Sequence, residues 1–349
     1  MKRMMKAMKA LVAVAAVAIA GAALAETETV GGYTWTYRVV DGAAEIYNDD
    51  ARAVTPEPTG DVVIPTTLGG KTVTRLGNYA LVNCQNIRSL VATTVKSVGE
   101  YALWNCRELQ TASFPALETI GQCGFMSCPY LSTLEMPATV DLAGKSAFVS
   151  CTSLIDDDGY VIINGVLYGY YASKKEVIIP ASATRIASYA VYDRGITDVV
   201  IPGTVKSIGT LAFSDCTITN LTIMSGVEYI GTGAFRRNMN GLKSVTIPGS
   251  VKTIGDGAFL RCESLKNVTI LNGVETIESS AFRYCPIVSV SIPASMTTIG
   301  ANSFGAATDL TYVYVAAGDG DHVKSLLSDA GYDKKVDGFT FVTPAQACQ

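Results

Sequence analysis

Apolar and polar positions recur along most of the chain with a period of 22 to 24 residues. The recurring phrase is V-x-x-I-G-x-x-A-F-x-x-C-x-x-L-x-x-V-x-I-P, and it is most complete between Val251 and Ile270. One interval of 43 residues, between Ala143 and Ile186, spans about two periods. A repeat of this length predicts a stack of similar structural units. We call the isoleucine of the I-G pair, or the residue that takes its place, the phase residue. The phase residues are Leu76, Val98, Ile120, Ala143, Ile186, Ile208, Ile230, Ile254, Ile277 and Ile299.

Each repeat contains two short extended segments joined by an arc. The segment that ends in V-x-I-P alternates apolar and polar residues and stops at proline, as in Val245 to Pro248, which predicts a strand. The V-x-x-I segment predicts a second strand. Between them, A-F-x-x-C-x-x-L predicts a tight arc whose aromatic ring and thiol point inward. We therefore expect an interior file of phenylalanines formed by Phe125, Phe213, Phe235, Phe259 and Phe282.

The repeats must stack in order to fold. One repeat cannot bury enough apolar surface to offset the entropy of ordering it, whereas a stacked repeat covers the open face of its neighbour. The sequence therefore predicts a mainly β repeat solenoid over residues 71–315, interrupted at about residues 156–180. Residues 26–70 predict an N-terminal β cap with a hairpin turn at Asp41-Gly42. Residues 316–349 predict a C-terminal cap with a helix from Asp321 to Ala330 and a strand at residues 339–342.

The interruption contains a second hairpin signal, Asn164-Gly165, between apolar runs that carry four tyrosines. Two interpretations stay open for these tyrosines. They either pack the hairpin onto neighbouring coils, because a hairpin alone is unstable, or they form a binding surface, because tyrosine offers rigid area and a hydroxyl group. Packing is the favoured interpretation. The four residues are Tyr160, Tyr168, Tyr170 and Tyr171.

A second candidate binding surface lies on the predicted strands. Outward positions of successive V-x-I segments carry hydroxyl groups, with one lysine and one asparagine beside them. Such a stripe is suited to binding a protein or a glycan, although serine and threonine are also common on solvated strands. The candidate residues are Thr222, Lys243, Thr246, Asn267, Thr269 and Ser291.

Charged residues recur two positions before the phase residue of each repeat, and their signs mostly alternate. On stacked strands these side chains would be direct neighbours about 5 Å apart, where opposite charges stabilise the pairing by about 0.2 to 1 kcal/mol each. We interpret them as a charge ladder that fixes register. Its members are Lys96, Glu118, Asp141, Lys206, Glu228, Lys252 and Glu275.

Seven of the nine cysteines lie eight residues after a phase residue and should form one internal column. We expect free, buried thiols that act as small apolar fillers, because stacked side chains that point the same way seldom meet the torsion of a disulfide. Disulfides between neighbouring coils are the alternative, and a metal site is not expected next to phenylalanine and leucine. Cys123 and Cys348 lie off the column, which consists of Cys84, Cys106, Cys128, Cys151, Cys216, Cys262 and Cys285.

Residues 1–25 predict a secretory signal peptide cleaved after Ala25, because basic residues precede a short apolar run that ends in Ala-Leu-Ala. We expect a secreted, periplasmic or cell-surface protein with no membrane span after this segment is removed. Removal takes away four of the 27 basic residues and none of the 31 acidic ones, which leaves a formal charge of −8. An acidic chain without a basic run disfavours nucleic acid as a partner.

The composition gives little support to catalysis. Only 17% of the residues are charged, and His322 is the only histidine, so a histidine-pair zinc site and a Ser-His-Asp triad are disfavoured. His322 falls in the predicted C-terminal helix, away from any nucleophile motif. The segment from Asp156 to Asp158 lacks the alternating spacing of a calcium loop. We expect no cofactor and no catalytic residue.

The I-G-x-x-A-F-x-x-C phrase, as in Ile208-Gly209 with Ala212-Phe213 and Cys216, resembles the BspA-like leucine-rich repeat family of bacterial surface proteins. The resemblance covers roughly residues 76–315. It implies a right-handed leucine-rich-repeat solenoid that acts in adhesion or extracellular protein binding, with no catalytic residue inherited. Departures from the phrase occur at Ala143, Ala187, Asn238 and Ala307.

We therefore expect a monomeric, non-catalytic protein that binds an extracellular protein or glycan. A carbohydrate-binding module and an architectural component of the cell envelope are the alternatives.

Overall fold

The computed structural model describes residues 25–48, 51–142, 144–239, 241–307, 309–332 and 338–342. They form a parallel β-solenoid, which confirms the predicted fold class. Each coil has a short strand at the phase residue, an arc, and a second strand at the V-x-I segment. Residues 1–24 of the predicted signal peptide, the phase residue Ala143 and Cys348 lie outside the described residues.

Two sheets form the strand-bearing sides of the first half. The first sheet begins with antiparallel strands and continues as a parallel ladder of phase strands. It contains β1 (Glu26–Val30), β2 (Tyr33–Val40), β3 (Ala43–Ile46), β4 (Val54–Thr55), β6 (Thr67–Leu68), β7 (Lys71–Leu76), β9 (Ser97–Val98), β11 (Thr119–Ile120) and β13 (Asp141–Leu142). The second sheet contains the V-x-I strands β5 (Thr59–Val63), β8 (Asn86–Val91), β10 (Thr111–Ser113) and β12 (Thr133–Glu135).

Three sheets repeat this plan in the second half. The hairpin and the phase strands form one sheet. It contains β14 (Tyr160–Ile163), β15 (Val166–Tyr170), β17 (Arg185–Ile186), β19 (Ser207–Ile208), β21 (Tyr229–Ile230), β23 (Thr253–Ile254), β25 (Thr276–Ile277) and β27 (Thr298–Ile299). The V-x-I strands form one sheet of β16 (Glu176–Ile178), β18 (Asp198–Ile201) and β20 (Asn220–Ile223). The other contains β22 (Ser244–Ile247), β24 (Asn267–Ile270), β26 (Ser289–Ser291), β28 (Tyr312–Tyr314) and β29 (Thr340–Val342).

Both caps have the predicted elements. β2 and β3 pair in antiparallel fashion around Asp41-Gly42. At the other end, helix α1 (Gly320–Leu327) continues into a π-helical turn (Ser328–Tyr332), and β29 follows. β3 also pairs in parallel with β7, and β5 pairs in parallel with β8. The parallel register therefore begins within residues 26–70, which the sequence assigned to the cap.

The arcs are hydrogen-bonded from coil to coil although they form no strand. Leu103 donates its backbone N–H to the carbonyl of Gly124 at 2.8 Å, and Phe235 donates to Ala258 at 2.7 Å. The residues three and seven positions after the phase residue have positive φ angles, as at Tyr101 (53°). These left-handed residues bend the backbone into successive tight turns.

The glycine of the I-G pair is required by the approach of neighbouring coils. A Cβ atom on Gly255 would lie 2.6 Å from the carbonyl oxygen of Ile230 and 2.8 Å from the carbonyl carbon of Gly231. A side chain at Gly255 would collide with this backbone, and glycine recurs at this position in most repeats, although Ala187 and Glu278 occupy it in two of them.

The arc aromatics form two interior stacks rather than one file. Phe125 stacks on Phe148 in the first half, with ring centroids 5.7 Å apart. The second stack runs from Phe213 to Phe304 with neighbouring centroids 5.1 to 5.5 Å apart. The predicted inward direction is confirmed, and all of these rings are fully buried. The break between the stacks coincides with the interruption of the repeat.

The charge ladder is confirmed at three steps. Lys96 pairs with Glu118 at 2.9 Å, Lys206 with Glu228 at 3.3 Å and Lys252 with Glu275 at 2.7 Å. These side chains are about half exposed, so each pair stabilises the fold only slightly.

Asp141 is not part of this ladder, so its assignment was wrong. Asp141 lies beside Thr119 in the parallel register, and Leu142 lies beside Ile120. Leu142 is therefore the phase residue of this coil, and the sequence contains one extra residue after it. This inserted residue turned the spacing of 22 residues into an apparent 23.

The cysteine column is buried, and its thiols donate hydrogen bonds to the same kind of acceptor. Six of the seven thiols, all except that of Cys84, donate to the carbonyl oxygen of the arc residue in the preceding coil that occupies the phenylalanine position. The distances are 3.3 Å for Cys106 to Leu81, 3.2 Å for Cys128 to Leu103, 2.9 Å for Cys151 to Phe125, 3.1 Å for Cys216 to Val191, 3.3 Å for Cys262 to Phe235 and 3.0 Å for Cys285 to Phe259. The column residues are free cysteines. They act as hydrogen-bond donors as well as fillers.

Asn238 takes over this role where the cysteine is absent. Its Nδ2 donates to the carbonyl oxygens of Phe213 at 3.0 Å and Phe235 at 2.8 Å, and its Oδ1 accepts from the backbone N–H of Ile218 at 3.2 Å. A buried donor at this column position can therefore be a thiol or an amide.

We expect the Asn238→Ala variant to lose stability, because each buried group left without a partner costs about 1–3 kcal/mol. Asn238→Cys should lose less, because a thiol can restore the bond to Phe213. Chemical denaturation monitored by circular dichroism measures both changes. Equal losses in the two variants would contradict the donor role.

We expect the column thiols to resist alkylation at pH 8 in the folded protein. Burial raises the pKa of Cys84 and of Cys216 to about 12, so roughly one thiol in ten thousand is ionised at pH 8, and the thiolate is the reactive form. Iodoacetamide treatment followed by peptide mapping should show modification of both residues only after unfolding. A Thr246→Cys variant, with its new thiol on an exposed strand position, serves as the reactive control.

Candidate functional site

The side chains of the tyrosine hairpin are mostly buried. β14 and β15 pair in antiparallel fashion around Asn164-Gly165, as predicted. However, the exposed fraction is 5% for Tyr160, 1% for Tyr168 and 1% for Tyr170, and Tyr171 is half-buried. Tyr160, Tyr168 and Tyr170 are therefore core residues, in agreement with the packing interpretation, and Tyr171 packs against the core. Tyr160 and Tyr170 also line an open cavity of about 540 Å³.

The hairpin joins the two halves of the solenoid. Tyr168 belongs to the core of the first half and packs edge-on against Phe148 at 6.0 Å between ring centroids. Tyr160 and Tyr170 belong to the core of the second half, with their centroids 5.1 Å apart. β15 thus contributes side chains to both cores, which explains why the repeat is interrupted here.

Tyrosine hydroxyls donate hydrogen bonds to backbone carbonyl groups at this joint. Tyr168 donates to Val140 at 3.0 Å, and Tyr160 donates to Ile178, on the edge strand β16, at 2.8 Å. Burial raises the pKa of Tyr160 and of Tyr168 to about 12. The hydroxyls therefore stay protonated and remain donors at neutral pH.

Several polar side chains complete the joint between the two halves. Asp141 accepts hydrogen bonds from the backbone N–H of Ser188 at 2.8 Å and from its hydroxyl at 2.7 Å. Arg185 donates to the carbonyl oxygens of Ala138 and Val140. Asn164 donates to Met136 at 2.7 Å. Side chains here replace the backbone ladder that connects coils elsewhere.

The strand-borne candidates are accessible and in register. Thr246, Thr269 and Ser291 are neighbours across β22, β24 and β26. Ser244, Asn267 and Ser289 form the adjacent column, in which the Ser289 hydroxyl donates to Asn267 Oδ1 at 2.8 Å. We call these six side chains the strand face. They are exposed except for Ser289 and Ser291, which are half-buried.

Two further candidates lie beside the strand face. Lys243 is exposed and immediately precedes β22. Thr222 is also exposed, but it lies on β20, which belongs to a different sheet from β22. The predicted stripe is therefore divided between Thr222 and Thr246.

An open apolar groove adjoins the strand face. It has a volume of about 420 Å³, and its lining includes Leu271, Ser291, Pro293 and Tyr314. Leu271 is 44% exposed and occupies the position that proline takes in other repeats. The columns of hydroxyl groups thus end beside an apolar depression.

The exposed aromatic and basic side chains of the arcs were not predicted as candidates. Tyr79 and Tyr101 stack with centroids 5.4 Å apart, and Trp104 packs edge-on against Tyr101. Arginines occupy the corresponding outward positions in the second half. The repeat places these residues at equivalent positions, because they lie three, six or seven positions after a phase residue. Their outward direction depends on the positive φ angles of the arc.

The remaining candidates are structural. His322 Nε2 lies 2.8 Å from the carbonyl oxygen of Met296. Asp156 Oδ1 accepts from the backbone N–H groups of Asp158 and Tyr160 at 3.1 and 2.8 Å, and Asp158 pairs with Lys174 at 3.0 Å. These carboxylates stabilise a turn.

Among the residues that the structure describes, no cluster of three or more His, Cys, Asp or Glu side chains could hold a metal ion. In the same residues no helix has both the length and the apolar character needed to cross a bilayer.

We expect the Tyr168→Ala variant to weaken the joint between the two halves. Removal of a buried aromatic ring costs about 3–5 kcal/mol, and the cores on either side should then unfold separately. Chemical denaturation should show two transitions. Tyr168→Phe isolates the hydroxyl and should cost about 1 kcal/mol.

Tyr312 is 42% exposed, so Tyr312→Ala is the matched control and should keep the wild-type profile. A single unchanged transition in Tyr168→Ala would show that the hairpin does not couple the halves.

Comparison with known proteins places the repeat in a described family. Residues 65–158, 162–240 and 184–311 match the model of the BspA type leucine rich repeat region, in six copies. No curated protein matches the chain.

Several solved structures are similar to this chain. The pneumococcal vaccine antigen PcpA is 16% identical, with 88% of this chain and 97% of that chain covered and a TM-score of 0.42. A leucine rich cell surface protein from Faecalibacterium prausnitzii A2-165 is 21% identical, with 88% and 98% covered and a TM-score of 0.33. A leucine-rich repeat protein from Bacteroides ovatus ATCC 8483 is 18% identical, with 93% and 99% covered and a TM-score of 0.35.

Proposed function

Because the chain belongs to the BspA type leucine rich repeat family, we propose that it is an exported, non-catalytic repeat protein that binds an extracellular protein through its strand face. Family membership supports a role in protein interaction. The signal-peptide pattern of residues 1–25 supports export. The observation that carries the assignment to this surface is the register of the strand-face side chains beside the apolar groove.

The strand face has the geometry of a broad, shallow interface. Its two columns repeat at the spacing of parallel strands, about 4.8 Å, and its donors and acceptors are short side chains on fixed backbone. Ordering short side chains costs little entropy on binding, whereas long charged side chains lose much more. A partner can therefore form several hydrogen bonds at a small ordering cost.

The groove supplies the apolar contact that a polar surface lacks. Binding energy in protein interfaces is concentrated in a few buried apolar or aromatic anchors surrounded by polar contacts. Leu271 and Tyr314 line a depression that such an anchor could fill, and Ser291 belongs to both the groove and the strand face. The two features together support a protein partner.

The carbohydrate alternative loses its original support. The aromatic hairpin would have supported it, but the rings of Tyr168 and Tyr170 are buried in the joint. Glycan binding is therefore retained as an outcome of the binding experiment.

We expect Thr246→Arg combined with Ser291→Arg to weaken partner binding at least tenfold, because two bulky cations would obstruct the strand face and the mouth of the groove. The measurement is binding of the purified protein to a panel of immobilised extracellular-matrix and mucus proteins, before and after enzymatic deglycosylation. Binding that survives deglycosylation and is lost in this variant supports the proposal.

The matched control is Thr232→Arg combined with Thr297→Arg, which adds the same charge at exposed positions outside the strand face. Equal weakening in both variants would show that charge alone is responsible. Binding that disappears on deglycosylation would favour the carbohydrate alternative.

A further inference from the structure

Arginines are concentrated on the arcs of three consecutive coils in the second half. Arg236 and Arg237 lie on one arc, Arg261 on the next, and Arg283 on the third, where it is followed by Tyr284. Arg237, Arg261 and Tyr284 are exposed, and Arg236 and Arg283 are half-buried. We call these five side chains the arginine patch.

The patch is poorly neutralised by the protein itself. Arg237 pairs with Asp215 at 3.1 Å. Within the part of the chain that the structure describes, Arg236, Arg261 and Arg283 form no ion pair, and the buried Nε of Arg236 has no hydrogen-bond partner. The chain has a formal charge of −4 overall. Positive charge that is not paired within the protein attracts an anionic partner.

Tyr284 holds two of the guanidinium groups in place. The guanidinium carbons of Arg261 and Arg283 lie 5.4 and 4.7 Å from the centre of its ring, and Arg283 also donates to the Tyr284 hydroxyl at 3.0 Å. Cation–π contacts of this kind restrict long side chains. The patch is therefore partly ordered before any ligand binds, which lowers the entropic cost of binding.

We propose that the arginine patch binds an acidic, extended segment of a protein partner. Guanidinium groups recognise carboxylates through two parallel hydrogen bonds, which favours Arg over Lys at such sites. Arg237 and Arg261 occupy the same position on successive arcs, and Arg283 lies one position earlier on the third arc. The arginines therefore present a staggered row of donors on coils about 4.8 Å apart. An extended peptide with repeated carboxylates matches this row.

The arrangement of Tyr284 favours an acidic ligand over a neutral sugar chain. Protein sites that stack ligands on aromatic residues need an accessible ring face. The Tyr284 ring is in contact with the guanidinium groups of Arg261 and Arg283, so charge rather than ring stacking dominates this surface. The patch lies on the arcs and not on the strand face, so it is a second site whose test is independent of the first.

The test is fluorescence anisotropy with a labelled ten-residue peptide of alternating Glu and Gly and with a matched peptide of Gln and Gly. The wild-type protein should bind the Glu peptide, and its affinity should fall at least tenfold between 50 and 200 mM salt because ion pairing drives binding. Arg261→Glu combined with Arg283→Glu should weaken binding at least tenfold. Arg261→Gln combined with Arg283→Gln should weaken it by a smaller factor.

Lys71→Glu combined with Arg88→Glu changes the charge equally at exposed positions in the first half, and this control should bind as wild type. Thermal unfolding establishes that each variant is folded. Equal binding of the Glu and Gln peptides, or an equal loss in the control, would overturn the proposal. Binding of a sulfated polysaccharide without measurable peptide binding would overturn the assignment to a protein segment.

Discussion

The parallel hydrogen bonding between successive coils is the constraint from which the rest of the structure follows. It holds the strands in register, and it continues through the arcs, where Phe235 donates to Ala258 of the next coil. Because every coil must match its neighbour residue by residue, any feature at one position becomes a column. The phenylalanine stacks, the cysteine column and the strand face are all consequences of this registry.

The same constraint explains how much the sequence could predict. The inward position of residues such as Ile254 and Phe259 could be predicted from the period, because an apolar residue that recurs at a fixed spacing in stacked coils must point into the core. The role of the thiols was only partly predictable. Burial follows from the period, whereas the bond from Cys262 to the Phe235 carbonyl depends on the depth of the arc.

Predictions failed where the repeat is irregular or where direction depends on local backbone. One inserted residue after Leu142 shifted the counted phase of this coil, so Asp141, which accepts a hydrogen bond from Ser188, was wrongly assigned to the charge ladder. The burial of Tyr168 and Tyr170 depends on the contact between two separate cores, which a period cannot reveal. The outward direction of Arg261 depends on its positive φ angle of 60°.

The two ends of the solenoid are built differently. β3 is covered by the antiparallel strand β2, whereas α1 places Val323 and Leu327 in the core at the far end. An uncapped stack of identical coils would offer each terminal coil as a template for the coil of another molecule, and such contacts would propagate into filaments. The antiparallel strand β2 and the helix α1 differ from a repeat coil, so neither presents the coil backbone that such growth would copy.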